Sequence, residues 1–139
     1  MGKRGPRPKD KPKVFTGEPV TELPCPAWLG PVGRAEFARA STELVTQGRL
    51  TSGCLPALEG LAGSYQLVMA AEEKIKEHGT VYDTDHGLAR NPAVMVRSTA
   101  SKEWQTWLQQ LCLTPATIAK APPVAKPAVD ELEIFKVTG

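Results

Sequence analysis

The stretch TSGCLPALEGLAGSYQLVMAAEEKIKEH, Thr51 to His78, decides how the chain folds. Cys54, Leu58, Leu61, Tyr65, Val68 and Ile75 recur at alternating steps of three and four, with only Glu72 interrupting them, which is one face of a helix. Leu55, Ala62 and Met69, seven apart, widen that seam into a face that needs two neighbours. Glu59, Gln66, Lys74 and Glu77 fall on the opposite, polar side, and Glu72 and Lys76 form a helix-spaced charge pair. Thr51 is an N-cap residue and Gly79 a C-cap residue, so a helix of roughly 40 Å is expected between them. Pro56 predicts a kink or a late start. Gly60 and Gly63 carry two readings, a weak helix or the close approach of another backbone.

Working outward, a first helix is expected from Pro31 to Gln47, with Phe37, Ala40, Leu44 and Val45 on one side and a stop at Gly48. The short Gly48 to Leu50 connection turns it back against the long helix, and Trp28 is expected to plug that junction as core. Beyond Gly79, Thr80 to Tyr82 and Leu88 to Arg90 flank Asp83, Thr84, Asp85, His86 and Gly87, which predicts a two-stranded ribbon. A lone hairpin of this size is marginal in water, so it is expected to lie on the helices or join a neighbouring subunit. Asn91 and Pro92 open a third helix, to about Cys112, whose shared face is Ala93, Val96, Ala100, Trp104, Trp107, Leu108 and Leu111. Thr114 and Pro115 open a short fourth helix through Lys120. The expected fold is mainly α: a helical hairpin of three to four helices, a short β-hairpin between the two long ones, and flexible arms at both ends. Residues 27–120 form the expected helical oligomerisation core, which suits a single small domain.

The formal charge of +2 hides an asymmetry. Lys3, Arg4, Arg7, Lys9, Lys11 and Lys13 stand against Asp10 alone in residues 1–13, a net of +5, which leaves −3 for the rest. Residues 1–26 hold six prolines and read as a disordered basic arm. Such an arm reaches phosphates and reads no base sequence, so salt-sensitive, non-specific attachment to nucleic acid is expected of these six cations. Arg97, Lys102, Lys74 and Lys76 are the next candidates on the body. At the other end, residues 121–129 form a proline-rich spacer and residues 130–139 a docking tail with Leu132, Ile134 and Phe135 as apolar anchors in an acidic setting.

Chemistry is sparse. Cys25, Cys54 and Cys112 are odd in number and far apart, which suggests neither a disulfide framework nor a zinc cluster, and Cys54 and Cys112 read as buried structural thiols. The two histidines, His78 and His86, have no ligand-spaced partner. Asp83, Asp85 and His86 are the one acidic cluster, and turn formation explains them better than a metal or acid–base site. A phosphate-binding loop and a serine nucleophile elbow are both lacking, so no catalytic residue, metal or cofactor is expected. With no membrane-spanning or signal-like run, the expected location is the cytosol.

The ordered features carry a resemblance. Met1-Gly2-Lys3-Arg4-Gly5-Pro6-Arg7-Pro8-Lys9, Pro26-Ala27-Trp28-Leu29-Gly30-Pro31, Gly48-Arg49-Leu50-Thr51, Gly79-Thr80-Val81, Asn91-Pro92 and Leu113-Thr114-Pro115 occur in that sequence and spacing. Together they resemble the small subunit of a tailed-bacteriophage terminase, of the group that starts with a Gly-Lys-Arg-Gly-Pro arm, over nearly the whole chain. The chain departs from that group at Gly30, Gly53 and Cys54, where helix caps are poorer, and at Pro56. The resemblance implies a non-catalytic component of a DNA-packaging motor in the host cytoplasm. It would form a homo-oligomeric ring, bind double-stranded viral DNA, and recruit or regulate a large subunit that carries the ATPase and nuclease. The alternative from another class is a helical interaction module without DNA binding.

Overall fold

A computed structural model describes residues 17–121. In chain order these form α1 (Pro31–Thr46), a 3-10 turn (Ser52–Cys54), α2 (Leu55–His78), β1 (Val81–Thr84), β2 (Gly87–Arg90), α3 (Pro92–Gln110) and α4 (Pro115–Ile118). The fold is mainly helical, with α2 at the centre packing against α1 on one side and α3 on the other. This meets the expectation of a seam too wide for one partner.

Local chemistry sets the boundaries. Pro56 sits in the first turn of α2, where its missing N–H costs nothing, so the late start holds and the kink does not occur. Thr51 precedes the 3-10 turn and its hydroxyl caps no backbone amide; it lies 3.5 Å from the Cys54 thiol instead. α1 ends in a Schellman motif: Gly48 has φ 67°, its amide bonds the Val45 carbonyl, and the Arg49 amide reaches back to Leu44 at 2.8 Å. α3 ends the same way with a non-glycine residue in the left-handed position. Cys112 has φ 53°, and the Leu113 amide bonds the Leu108 carbonyl at 2.9 Å. Arg49, itself buried, donates to the Cys112 carbonyl at 3.2 Å and ties this exit to the α1–α2 connection. Cys112 thus lies beyond α3 rather than on its apolar face, and Cys54 is half-buried in the 3-10 turn.

The core gathers at one end, around Leu44, Leu50, Leu58 and Leu61, all fully buried, with Leu29, Phe37 and Leu111 closing it. Each such leucine contributes about 1.5–3 kcal/mol relative to an exposed side chain. Farther along, only Ala71 of α2 and Ala100 of α3 are buried, while Leu67, Met69, Met95 and Val96 stay exposed. Small residues in the seam and large ones outside it leave that half of the helix pair uncovered. On α1, Phe37, Ala40 and Leu44 face inward as expected, whereas Val45 is exposed and Gly33 and Glu36 are buried in its stead.

The boundary expected at residue 26 falls inside an attached segment. Val20 and Leu23 pack against the core, and the Val20 amide bonds the Leu50 carbonyl at 2.7 Å. α4 is shorter than expected, one turn held by a Thr114–Thr117 capping box. No helix among the described residues is long and apolar enough to cross a membrane.

Candidate interaction surfaces

Two surfaces of the described residues are built for contact. The first is the β-hairpin. β1 and β2 pair antiparallel with Val81 opposite Arg90, Tyr82 opposite Ala89, Asp83 opposite Leu88 and Thr84 opposite Gly87, which leaves Asp85 and His86 as a two-residue loop. Gly87 takes φ 105°, and the Thr84 hydroxyl donates to the Gly87 carbonyl at 2.7 Å and accepts from the His86 amide. The ladder is therefore longer than the sequence suggested, absorbing Asp83, Thr84 and Gly87. It does not lie on the helices. Val81, Tyr82 and Leu88 are exposed, Leu88 to 76%, and Met95 in the first turn of α3 is 66% exposed.

Asn91 holds this hairpin in position. Its side-chain amide donates to the Gly79 carbonyl at 2.8 Å and to the Lys74 carbonyl at 3.4 Å, and its oxygen accepts from the Ala93 amide at 3.0 Å. One buried side chain thus joins the end of α2, the exit into β1 and the start of α3. The Asn91 amide bonds the Thr80 carbonyl at 2.9 Å and closes the ribbon at its base.

The second surface is aromatic. Trp28 is not the core plug expected of it: it is 61% exposed, and its neighbour Leu29 takes the buried place. The turn that presents it is clamped. Arg34 donates to the carbonyls of Leu29 and Ala27, the Leu29 amide bonds Pro26, and the Gly30 amide bonds the Gln66 side chain at 2.6 Å. Gln66 had read as a residue of the polar face. It is half-buried, because Gly30 and Gly33 leave room for its amide between α1 and α2. A Cβ on Gly63 would meet the Trp28 ring at 2.9 Å, and one on Gly60 would meet the Trp107 ring at 2.5 Å. The two glycines thus permit close approach, of indole rings and not of another backbone.

Trp104 is the inward tryptophan of α3. Its ring centroid lies 5.2 Å from that of Tyr65, and its indole N–H donates to Glu36 at 3.2 Å. Glu36 is buried and also accepts two hydrogen bonds from Arg39, the first cause of a raised Arg39 pKa.

Of the four body cations, Lys74 pairs with Glu77 at 3.4 Å and Arg97 with Glu72 at 3.1 Å in place of the expected Glu72–Lys76 pair. Arg97 and Lys102 line one shallow cleft with Glu72, and Lys76 is exposed. Asp83, Asp85 and His86 lie on the exposed hairpin, and among the described residues no group of three or more His, Cys, Asp or Glu is placed to hold a metal. Lys3, Arg4, Arg7, Lys9, Lys11 and Lys13, and equally Leu132, Ile134 and Phe135, lie outside the described residues.

The described residues form a small helical protein that exposes a clamped tryptophan and a two-stranded ribbon. The chain belongs to the family described as the phage terminase small subunit, whose model matches residues 33–127, from the first turn of α1 past α4. That membership places it in phage DNA packaging, inside the infected host cell. Comparison with curated proteins and with solved structures returns no match.

Proposed function

We propose that the protein is the non-catalytic adaptor of a DNA-packaging motor. It assembles into a homo-oligomeric ring, holds double-stranded viral DNA through the cations of residues 3–13, and recruits or regulates the large ATPase and nuclease subunit through Leu132, Ile134 and Phe135. The observation that carries the reading is the hairpin. An isolated two-stranded ribbon is marginal alone, and this one exposes Val81, Tyr82 and Leu88. A neighbouring subunit supplies the missing cover. Assembly in turn makes a cationic arm effective, since several arms on one ring bind a single polyanion with avidity.

Exchanging Lys3, Arg4, Arg7, Lys9, Lys11 and Lys13 for glutamine tests the DNA contact. Each phosphate contact adds about 0.9 to the slope of log affinity against log salt, so losing several flattens that slope by several units. The expected result is weaker binding to duplex DNA with a shallower salt dependence and an unchanged assembly mass. Unchanged affinity and slope would move the DNA site onto the ring body, to Lys74, Lys76, Arg97 and Lys102.

A further inference from the structure

A groove runs between Trp28, 61% exposed, and Trp107, which packs against the core. Gly60 and Gly63, three residues apart on α2, form its floor, and the two indole rings stand over them where side chains would otherwise be. Glu59 of α2, Glu103 of α3 and Pro56 also line it, and among the described residues no lysine or arginine does. Trp28 is held there by a turn clamped through Arg34 and Gln66, so the exposed ring is presented rather than left over.

We propose that this groove docks the segment Arg4-Gly5-Pro6-Arg7-Pro8-Lys9 of its own chain. Shape is the first argument. Proline fixes φ near −65° and restrains the residue before it, so this segment is biased toward the polyproline II helix that docks in aromatic-lined grooves. Charge is the second. Arg4, Arg7 and Lys9 meet the carboxylates of Glu59 and Glu103, which line the groove. Guanidinium groups also stack on indole faces.

Reach is the third argument. The bond from the Val20 amide to the Leu50 carbonyl roots the arm at the α1–α2 connection, close before the turn of α2 that carries Pro56. From Pro8 to Val20 an extended chain spans about 37 Å at about 3.1 Å per residue. All of α2 measures about 36 Å at about 1.5 Å per residue, and the groove occupies its first turns. A tether this short sets an effective concentration on the order of millimolar, so a weak contact suffices. The same cations cannot serve groove and phosphates at once. DNA therefore draws the arm out of the groove, a consequence that rests on the DNA-binding role proposed above, whereas the docking does not.

The test uses the full chain with p-benzoyl-phenylalanine in place of Gly5, irradiated at low salt, with cross-linked peptides mapped by mass spectrometry. An equal mixture of 15N-labelled and unlabelled chains separates links within a chain from links between chains. Expected are links within one chain to Trp28, Trp107 or residues 60–64. Two exposed ion pairs are together worth about a factor of five, so Glu59→Lys with Glu103→Lys is expected to lower the yield by at least that much. Links that land elsewhere, that join different chains, or that survive the charge reversal would overturn the proposal. Saturating duplex DNA is expected to abolish the link. A groove link that persists under DNA would refute the arm as the DNA contact and leave the docking intact.

Discussion

Asn91 concentrates at one residue the dependence of the hairpin on the helices. Replacing it with alanine removes the α3 cap and leaves the Gly79 and Lys74 carbonyls without their donor. The expected cost is about 1–3 kcal/mol, measured by urea denaturation, with Asn91→Asp recovering only the cap contribution. The cap was legible because Asn before Pro is a helix-start signal that needs only neighbouring residues. Trp28, Gln66 and the two glycines were not. Burial had been assigned to Trp28 because it adjoins a helix start, yet the chain turns so that Leu29 faces the core. Gly60 and Gly63 take their meaning from rings brought in from 47 and 35 residues away, Trp107 and Trp28. Helical periodicity ranks positions by face; it does not report which partner stands opposite.

At the scale of elements, α2 was readable almost to the residue, since its long seam, Pro56 and Gly79 are all local signals. Its partners on both sides followed from the width of the seam. The uncovered half of the α2–α3 pair was less readable, because Met95 and Val96 carry the hydrophobicity of core residues, yet they are exposed while Ala71 and Ala100 take the buried places. The hairpin belongs to this scale as well. Leu88→Lys places a cation opposite Asp83, a favourable cross-strand pair, so the unfolding free energy of the isolated subunit is expected to stay within about 0.5 kcal/mol of the parent. Subunit association is expected to weaken, seen as a mass that falls on dilution. An unchanged assembly would show that the ribbon is not the contact.

For the whole molecule, charge and apolar surface are separated. The positive excess lies in residues 1–13, the acidic groove and the uncovered hairpin lie on the body, and the described cations of the body are partly paired with carboxylates. Family membership, a phage terminase small subunit, gives that separation a purpose in DNA packaging. The residues read from composition alone, the six cations and the three tail anchors, lie outside the described structure, so composition is what speaks for them. Assembly is the property on which the rest of the account depends, because avidity of the arms and cover for the hairpin both require it. The most direct test is the mass of the purified full chain, by light scattering on a sizing column at moderate salt. The account predicts one species of many 15.0 kDa subunits, and a clean monomer or dimer would contradict it.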